Sequence, residues 1–575
     1  MSTYVSSACD VCRRRKVKCD LADPCSNCRV SGFECERTAV PKKRGRKLRK
    51  PSADLPMLPN YRQLAPCSPL LEGRQSVGSP WPTVVLPTHP DPSSSPSVAN
   101  SPSIEPPNKP EWILRKLIGI IQSIPSLGTL ESIVSRCIDL YLKFIFPNQP
   151  LIHEPTIRAS VAIFSPEVPA PFERCYNLFT PPQNNEVALL RAFTLLTALS
   201  AFVASVIPDQ LLPSPHNLAD VFLRASREML QVYQDYDLEN PDSSSLNIRM
   251  WHSAALQNTT GKVGASWHSH GEATLLAQRL RLFDEESVRQ TPSVEAQLLR
   301  SAFWHLYSAE RSAEALESRP VVLHEVLFHG ELTVLEHTEH DEVLLDVSKE
   351  INQGSFEHHL RAGFRVKCRV WTLAARLISA IKAYSRRRVG RALDVDDHLA
   401  PGSLTVSRLT DAYIDFSNIV DELPETLLSL DSATDTSLDG TVSSYQRTCF
   451  MVQRSNIMTT FHCMRLIALQ HCVAHDLVEI MGLSTDTASL AMKKIEIASE
   501  FLRELRLVSF VCFKVQGETA VEKVRRVGAF LMEVIQTVQH YNIKARAGSL
   551  FERLLDYLSQ LDSRASDELS GLYVR

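Results

Sequence analysis

Six cysteines fall between positions 9 and 35, at Cys9, Cys12, Cys19, Cys25, Cys28 and Cys35, in the pattern C-x2-C-x6-C-x5-C-x2-C-x6-C. A C-x2-C pair sets two sulfurs on one metal ion, and a closed tetrahedral zinc shell needs two more from further along the chain. Two independent four-thiolate shells would need about eight sulfurs. With six, two cysteines must bridge, so the spacing predicts two zinc ions in one shared cluster. The two halves repeat the same spacing, which predicts a pseudo-twofold pair of short helix-plus-strand units.

The gap after Cys12 is filled by cations: Arg13, Arg14, Arg15, Lys16 and Lys18. Six thiolates outweigh two zinc ions in charge, so these residues are needed to make this face attractive to phosphate. Binding through them should fall steeply with salt. The residues after Cys12 read as a short helix, whose neighbouring side chains point in different directions, so some reach base edges while others hold the backbone. A second basic run, PKKRGRKLRK at 41–50, carries Lys42, Lys43, Arg44, Arg46, Lys47, Arg49 and Lys50. It reads as a nuclear localisation signal, an extra phosphate-binding arm, or both.

The six spacings, the CRRRKVKCD stretch and Pro24 just before Cys25 together resemble the fungal Zn2Cys6 binuclear cluster family of transcription factors. The resemblance implies that Cys9 and Cys25 are the bridging ligands and that a helix docks in DNA. It places Lys16, assisted by Arg15, on guanine O6 and N7 of a CGG-type half-site in double-stranded DNA, with Arg13, Arg14 and Lys18 on phosphates. It also implies a nuclear RNA polymerase II transcription factor that works with transcriptional coactivators. An activator of a metabolic gene set is expected, foremost a secondary-metabolite biosynthetic cluster. A regulator of carbon-source catabolism, a repressor, and a zinc-dependent nucleic-acid-binding scaffold are the alternatives.

Other residue types that could do chemistry lack the spacing for it. His324, His329, His337 and His340 sit among acids, and His462-Cys463 and His471-Cys472 recur along one stretch. No H-E-x-x-H, P-loop, G-x-S-x-G or dinucleotide fingerprint accompanies them, and GKVGAS near 261 lacks the spacing of a phosphate loop. No catalytic constellation is found, so an enzyme is not expected. The remaining cysteines, Cys67, Cys137, Cys175, Cys368, Cys449, Cys463, Cys472 and Cys512, read as small buried hydrophobes in a reducing compartment.

The elements that must carry these residues follow from composition. The chain has 575 residues, 44% hydrophobic and 22% charged, with a formal net charge of -3, long enough for more than one folded unit. That average hides an asymmetry, because residues 1–50 hold 14 of the 62 Lys and Arg but 5 of the 65 Asp and Glu. MSTYVSSACD does not read as a secretory signal, so an intracellular protein is expected. The apolar run 192–207 is short of a membrane span and reads as a buried core helix, and no membrane partner is expected.

Between 51 and 110 fall 15 of the 34 prolines. Such sequence cannot bury enough apolar surface to offset its ordering entropy, and it predicts a disordered Pro/Ser-rich linker. No heptad repeat is visible there, which leaves dimerisation open. From 111 to 575 apolar residues recur at three- and four-residue spacing, and Ser293 with Gln297 suggests a helix-capping pair. The expected organisation is a disordered terminus (1–8), a Zn2Cys6 DNA-binding domain (9–35), a basic arm (36–50), the linker (51–110) and a large all-α regulatory domain (111–575). Three stretches, 141–158, 271–283 and 298–323, resemble the middle homology region of fungal regulators. The segment 421–440 mixes acids with leucines, a composition found in activation segments and also in ordinary acidic loops.

Overall fold

The computed structural model describes residues 9–15, 19–20, 22, 24–31, 34–36 and 109–561, the last span without 125–126, 166–171, 173–183, 326–327, 329–331, 337, 339–340, 349–352, 392–404 and 429–442. The chain divides into two compact units, Met1–Ala99 and Asn100–Arg575. The first holds α1 (Asp10–Arg15) and α2 (Ser26–Ser31). Residues 37–108, nearly all of the basic arm and the linker, lie outside the described residues, and the helical body begins at Lys109, two residues before the expected boundary.

The second unit is built from helices, and no strand occurs among the described residues. Its first part comprises α3 (Lys109–Gln122), α4 (Leu130–Phe144), α5 (Glu154–Ser160), α6 (Asn184–Val206), α7 (Pro215–Glu239), α8 (Ser243–Thr260) and α9 (Val263–Arg279). Next come α10 (Glu285–Arg289), α11 (Ser293–Leu316), α12 (Gln353–Arg391), α13 (Val406–Ser417) and α14 (Glu425–Leu428). The last part is α15 (Ser444–Ala474), α16 (Thr487–Leu507), α17 (Phe510–Lys514), α18 (Glu518–Thr537) and α19 (Tyr541–Gln560).

Local chemistry sets many of these boundaries. The side chain of Asp242 accepts from the Ser245 N–H while Ser245 Oγ accepts from the Asp242 N–H, a reciprocal cap at the start of α8, and Ser443 with Gln446 does the same for α15. Such caps satisfy amides that the first helical turn leaves without partners. The expected cap at Ser293 is not formed. Ser293 is the first residue of α11, Pro292 takes the cap position without a side-chain bond, and Gln297 is buried four residues along. At the turn into α9, Gly261 ends α8 at φ 63°, a conformation that glycine adopts without a Cβ clash. The GKVGAS stretch is thus a helix-to-helix turn.

The apolar run at 192–207 lies within α6, as expected of a core helix. The helix is longer than that run, however, and its stretch Glu186–Val206 is long and apolar enough to cross a membrane. Packing decides otherwise, since 72% of its most apolar window is buried inside the body, against α4, α7 and α8. Polar ties hold that packing in register. Asp237, wholly buried, accepts from Arg249 at 2.6 Å, from Arg191 at 3.0 Å and from Ser245 at 2.6 Å, joining α6, α7 and α8 through a fully paired carboxylate.

The three stretches that resemble the middle homology region sit at packed connections. In 141–158, Tyr141 donates to the Gln149 carbonyl at 2.8 Å, and Leu151 O accepts from Asn247 at 2.7 Å. The 271–283 stretch is the second half of α9 and the turn that follows it. In 298–323, Glu310 accepts the N–H groups of Val322 and Leu323, which folds the following loop back on α11. The acid-and-leucine segment begins as part of this body: Leu423 and Leu427 are buried, and the Leu427 carbonyl accepts from Arg454 at 2.6 Å. Those two leucines are therefore not free to dock on a coactivator, and 429–440 lies outside the described residues.

Candidate metal centre and nucleic-acid interface

Each half of the head repeats one local motif. Cys9 precedes α1 and Cys12 lies in its first turn, with the Cys12 N–H donating to Cys9 Sγ at 3.4 Å. In the second half, the Cys28 N–H donates to Cys25 Sγ at the same 3.4 Å, with Cys28 on α2. A helix started by a cysteine turns its third following residue back over the same spot, which is what the C-x2-C spacing requires. The repeat is of helices alone, since no strand occurs among the described residues of the head. The ends of the unit are closed by the Asp10 N–H, which donates to the Glu36 carbonyl at 2.9 Å.

Sulfurs converge between the helices. Cys9 and Cys25 lie 3.7 Å apart at Sγ, Cys9 and Cys28 3.6 Å, and Cys12 and Cys25 3.6 Å. A disulfide would bring sulfurs to about 2 Å, whereas two thiolates on one tetrahedral zinc are separated by about 3.8 Å, given a Zn–S length of about 2.3 Å. The observed separations fit a metal shell. All four sulfurs of Cys9, Cys12, Cys19 and Cys25 lie within 4.8 Å of one another, and so do those of Cys9, Cys25, Cys28 and Cys35. Cys9 and Cys25 belong to both groups. Four thiolates fill each tetrahedral shell, so such zinc is structural and holds the two halves together.

Electrostatics divides the sulfurs in the same way. The Cys12 N–H lowers the Cys9 thiol, and the Cys28 N–H lowers that of Cys25. Burial raises Cys12 and Cys28, with further upward pressure from neighbouring sulfurs. Stabilised thiolate character thus sits on the two shared sulfurs, each of which faces two ions in a bridged cluster, while Cys12 and Cys28 need the metal's charge to ionise.

Asp20 is a positioning residue that the spacing of cysteines did not reveal. Its carboxylate accepts the N–H of Ser26 at 3.0 Å and that of Ala22 at 3.3 Å, as well as the Ser26 hydroxyl. These bonds hold it below the usual carboxylate range and cap α2 from the segment that leaves Cys19. An acid directly after the third cysteine and six residues before a helix start is the signal that could have found it.

Arg13, Arg14 and Arg15 form the last three residues of α1. Lys16, Lys18 and the arm residues Lys42 to Lys50 lie outside the described residues. Among the described residues, the head cysteines make the only groups of three or more His, Cys, Asp or Glu ligands close enough to hold one ion. His462 is buried in α15 and belongs to no such group among the described residues, His324 lies in the loop after α11, and His329, His337 and His340 are outside the described residues. Cys137, Cys368, Cys449, Cys463, Cys472 and Cys512 are all free and buried, as expected of small hydrophobes. Cys67 and Cys175 fall outside the described residues.

Comparison with known proteins adds two kinds of likeness. Residues 7–45 match the fungal Zn(2)-Cys(6) binuclear cluster domain, whose members bind two zinc ions. Over 339 residues, 55% of this chain, the sequence is 24% identical to the citrinin biosynthesis transcriptional activators of Monascus ruber and Monascus purpureus, covering 61% and 54% of those proteins. The chain therefore spans less than two thirds of the length of these relatives. The glucose transport transcription regulator of Saccharomyces cerevisiae is 50% identical over 46 residues, 8% of this chain and 4% of that protein. The maltose fermentation regulatory protein of the same species is 51% identical over 45 residues, 8% of this chain and 10% of that protein. No solved structure matches.

Proposed function

From the premise that residues 7–45 are a fungal Zn2Cys6 binuclear cluster domain holding two zinc ions, we propose that the chain is a sequence-specific, nuclear DNA-binding regulator of RNA polymerase II transcription. The observation that carries this reading is the pair of four-sulfur groups sharing Cys9 and Cys25, set on a helix that ends in Arg13, Arg14 and Arg15. Zinc clamps the two halves and gives an otherwise coreless head a fixed shape. The cations that follow Cys12 are then carried to the phosphate backbone on a helix fixed by the metal. In this reading Lys16 and Arg15 take guanine edges of a CGG-type triplet, Arg13, Arg14 and Lys18 hold phosphates, and the arm at 42–50 adds affinity without sequence preference.

The regulated genes are proposed to form a secondary-metabolite biosynthetic cluster, with the protein acting as their activator through coactivators. What supports this is the extent of the likeness: the citrinin activators resemble this chain over 55% of its length, the glucose and maltose regulators over 8% each. Gel-shift titration on a CGG duplex and a scrambled duplex tests the recognition step. Lys16→Ala is expected to lose about 1–3 kcal/mol of discrimination, and Lys43→Ala to weaken both duplexes alike and flatten the salt dependence. Equal loss on both duplexes for Lys16→Ala would overturn the base-contact assignment. Mapping bound genomic sites would identify the gene set.

A further inference from the structure

The helical body contains two communicating cavities of about 590 and 270 Å3. Gln257, Asn258, His270, Ser312, Trp371 and Thr519 line both. The walls come from α8, α9, α11, α12 and the first turns of α18, all within the second unit. Lys523 of α18 lines the larger cavity and Lys367 of α12 the smaller, and both are almost wholly buried.

Neither lysine has an ion-pair partner among the described residues. Lys523 Nζ donates to Gln516 Oε1 at 2.8 Å, to Thr459 Oγ1 at 3.2 Å and to the Asn456 carbonyl at 3.4 Å, all neutral acceptors. Lys367 Nζ meets the Asn148 carbonyl at 3.2 Å and His305 Nδ1 at 3.3 Å, and burial beside that lysine keeps His305 neutral. Among the described residues neither lysine has a carboxylate partner, whereas Arg319 is paired with Glu310 and Arg526 with Glu522. Burial lowers both lysines, Lys523 to about 7 with the charge of Lys367 contributing. Glu518 lines both cavities and Glu522 the larger, but neither is paired with these lysines, so an anion entering the cavity would favour their protonated forms. Trp371, with Phe202 and Met250 in the smaller cavity, supplies an apolar wall.

We propose that this cavity binds a small organic carboxylate with a flat apolar body, its anionic end meeting Lys367 and Lys523 and its body lying against Trp371. The site is independent of the reading of the head, since every lining residue belongs to the body. The two oxygens of a carboxylate can accept lysine N–H groups and its charge favours the protonated amines, while the Trp371 face offers contact to an apolar body.

The test uses the full chain and isothermal titration calorimetry with sodium naphthalene-2-carboxylate, naphthalene-2-carboxamide and inorganic phosphate as probes. The expected result is saturable binding of the carboxylate, one per chain, with the carboxamide and phosphate each at least about tenfold weaker. Lys367→Met and Lys523→Met, on different helices, should each weaken the carboxylate by about tenfold or more. Their thermal midpoints should not fall, since each replaces a buried amine that has no ion-pair partner by an apolar chain of similar size. No binding of the carboxylate, equal binding of the carboxamide, equal binding of phosphate, or unchanged affinity in both variants would each overturn the proposal. The comparison of the three probes on the native chain decides it even if a variant fails to fold.

Discussion

The thiol pattern of the head turns on single residues. Cys9 and Cys25 belong to both four-sulfur groups, and Cys19 to one. Cys25→Ser is therefore expected to lose both zinc ions and Cys19→Ser to retain one, as read by metal analysis of the purified protein. Equal stoichiometry in the two variants would count against sharing. In the body, His252 shows the opposite use of a titratable group. Ser226 Oγ lies 2.8 Å from the Thr194 carbonyl, which can only accept, and 2.8 Å from His252 Nε2. The satisfied arrangement gives the serine proton to Thr194 and the Nε2–H of a neutral imidazole to Ser226. Burial, with Arg227 and Arg249 nearby, lowers His252 to about 3. As pH falls below 6.5 the unfolded chain takes a proton that the folded one refuses, so this contribution is fully present above 6.5 and lost towards 3. Between pH 6.5 and 4.5, His252→Gln should reduce the slope of unfolding free energy with pH by about 1.4 kcal/mol per unit. Urea unfolding at several pH values measures it, and an unchanged slope would show that other groups set the acid limit.

Among elements, the close approach of α12 and α15 is the most sensitive contact. A Cβ at Gly363 would lie 2.0 Å from Gln453 Oε1. Gln453 is fully buried, and its Nε2 donates to the Pro147 carbonyl at 2.5 Å and to that of Leu360 at 2.8 Å. One amide thus joins α12, α15 and the turn after α4. Displacing it sacrifices both bonds, so Gly363→Ala is expected to destabilise the body by about 1–3 kcal/mol. Thermal unfolding checks this, and an unshifted midpoint would mean that the helices part without cost. A different constraint operates at Gly517, which begins α18 at φ 60° with Asn258 Oδ1 and Val206 close to where a side chain would stand. Asn258 Oδ1 also accepts the Glu518 N–H at 3.1 Å, so the residue that caps α18 is one that lines the cavity.

For the whole molecule, the two units depend on different forces. The head owes its shape to sulfur and metal, the body to an extensive apolar core. A chelator is therefore expected to abolish DNA binding while leaving the thermal midpoint of the body in place, as followed by circular dichroism melting with and without EDTA. A lowered midpoint of the body would show that the units are coupled. The composition of 51–110 predicts a linker of about 60 residues, long enough to join two heads with little control of spacing. Residues 1–60 should then bind one half-site as a monomer, and the full chain should tolerate variable separations. Gel shifts with the spacing varied one base pair at a time test this, and one sharp optimum would reveal a rigid dimer element.

What the sequence by itself determined is what depends on near neighbours in the chain. The C-x2-C turns are local because a helix brings residue i+3 back over residue i, and the apolar period of the body is local for the same reason. The buried fate of Cys137, Cys449 and Cys463 followed from the apolar helices around them. Local rules misplaced what distant partners decide. The cap expected at Ser293 gave way to Pro292, Ser293 instead donating to Glu342 in a later loop. Leu423 and Leu427 looked like part of an exposed acidic segment until packing against the body buried them. Helix α6 has the length and hydropathy of a membrane span, and only its burial among α4, α7 and α8 makes it a core element. Lys367 and Lys523 are separated by more than 150 residues and carry no motif. Only the tertiary structure could set them on adjoining cavities, because folding withdrew the water that would otherwise have solvated them and supplied no ion-pair partner in its place.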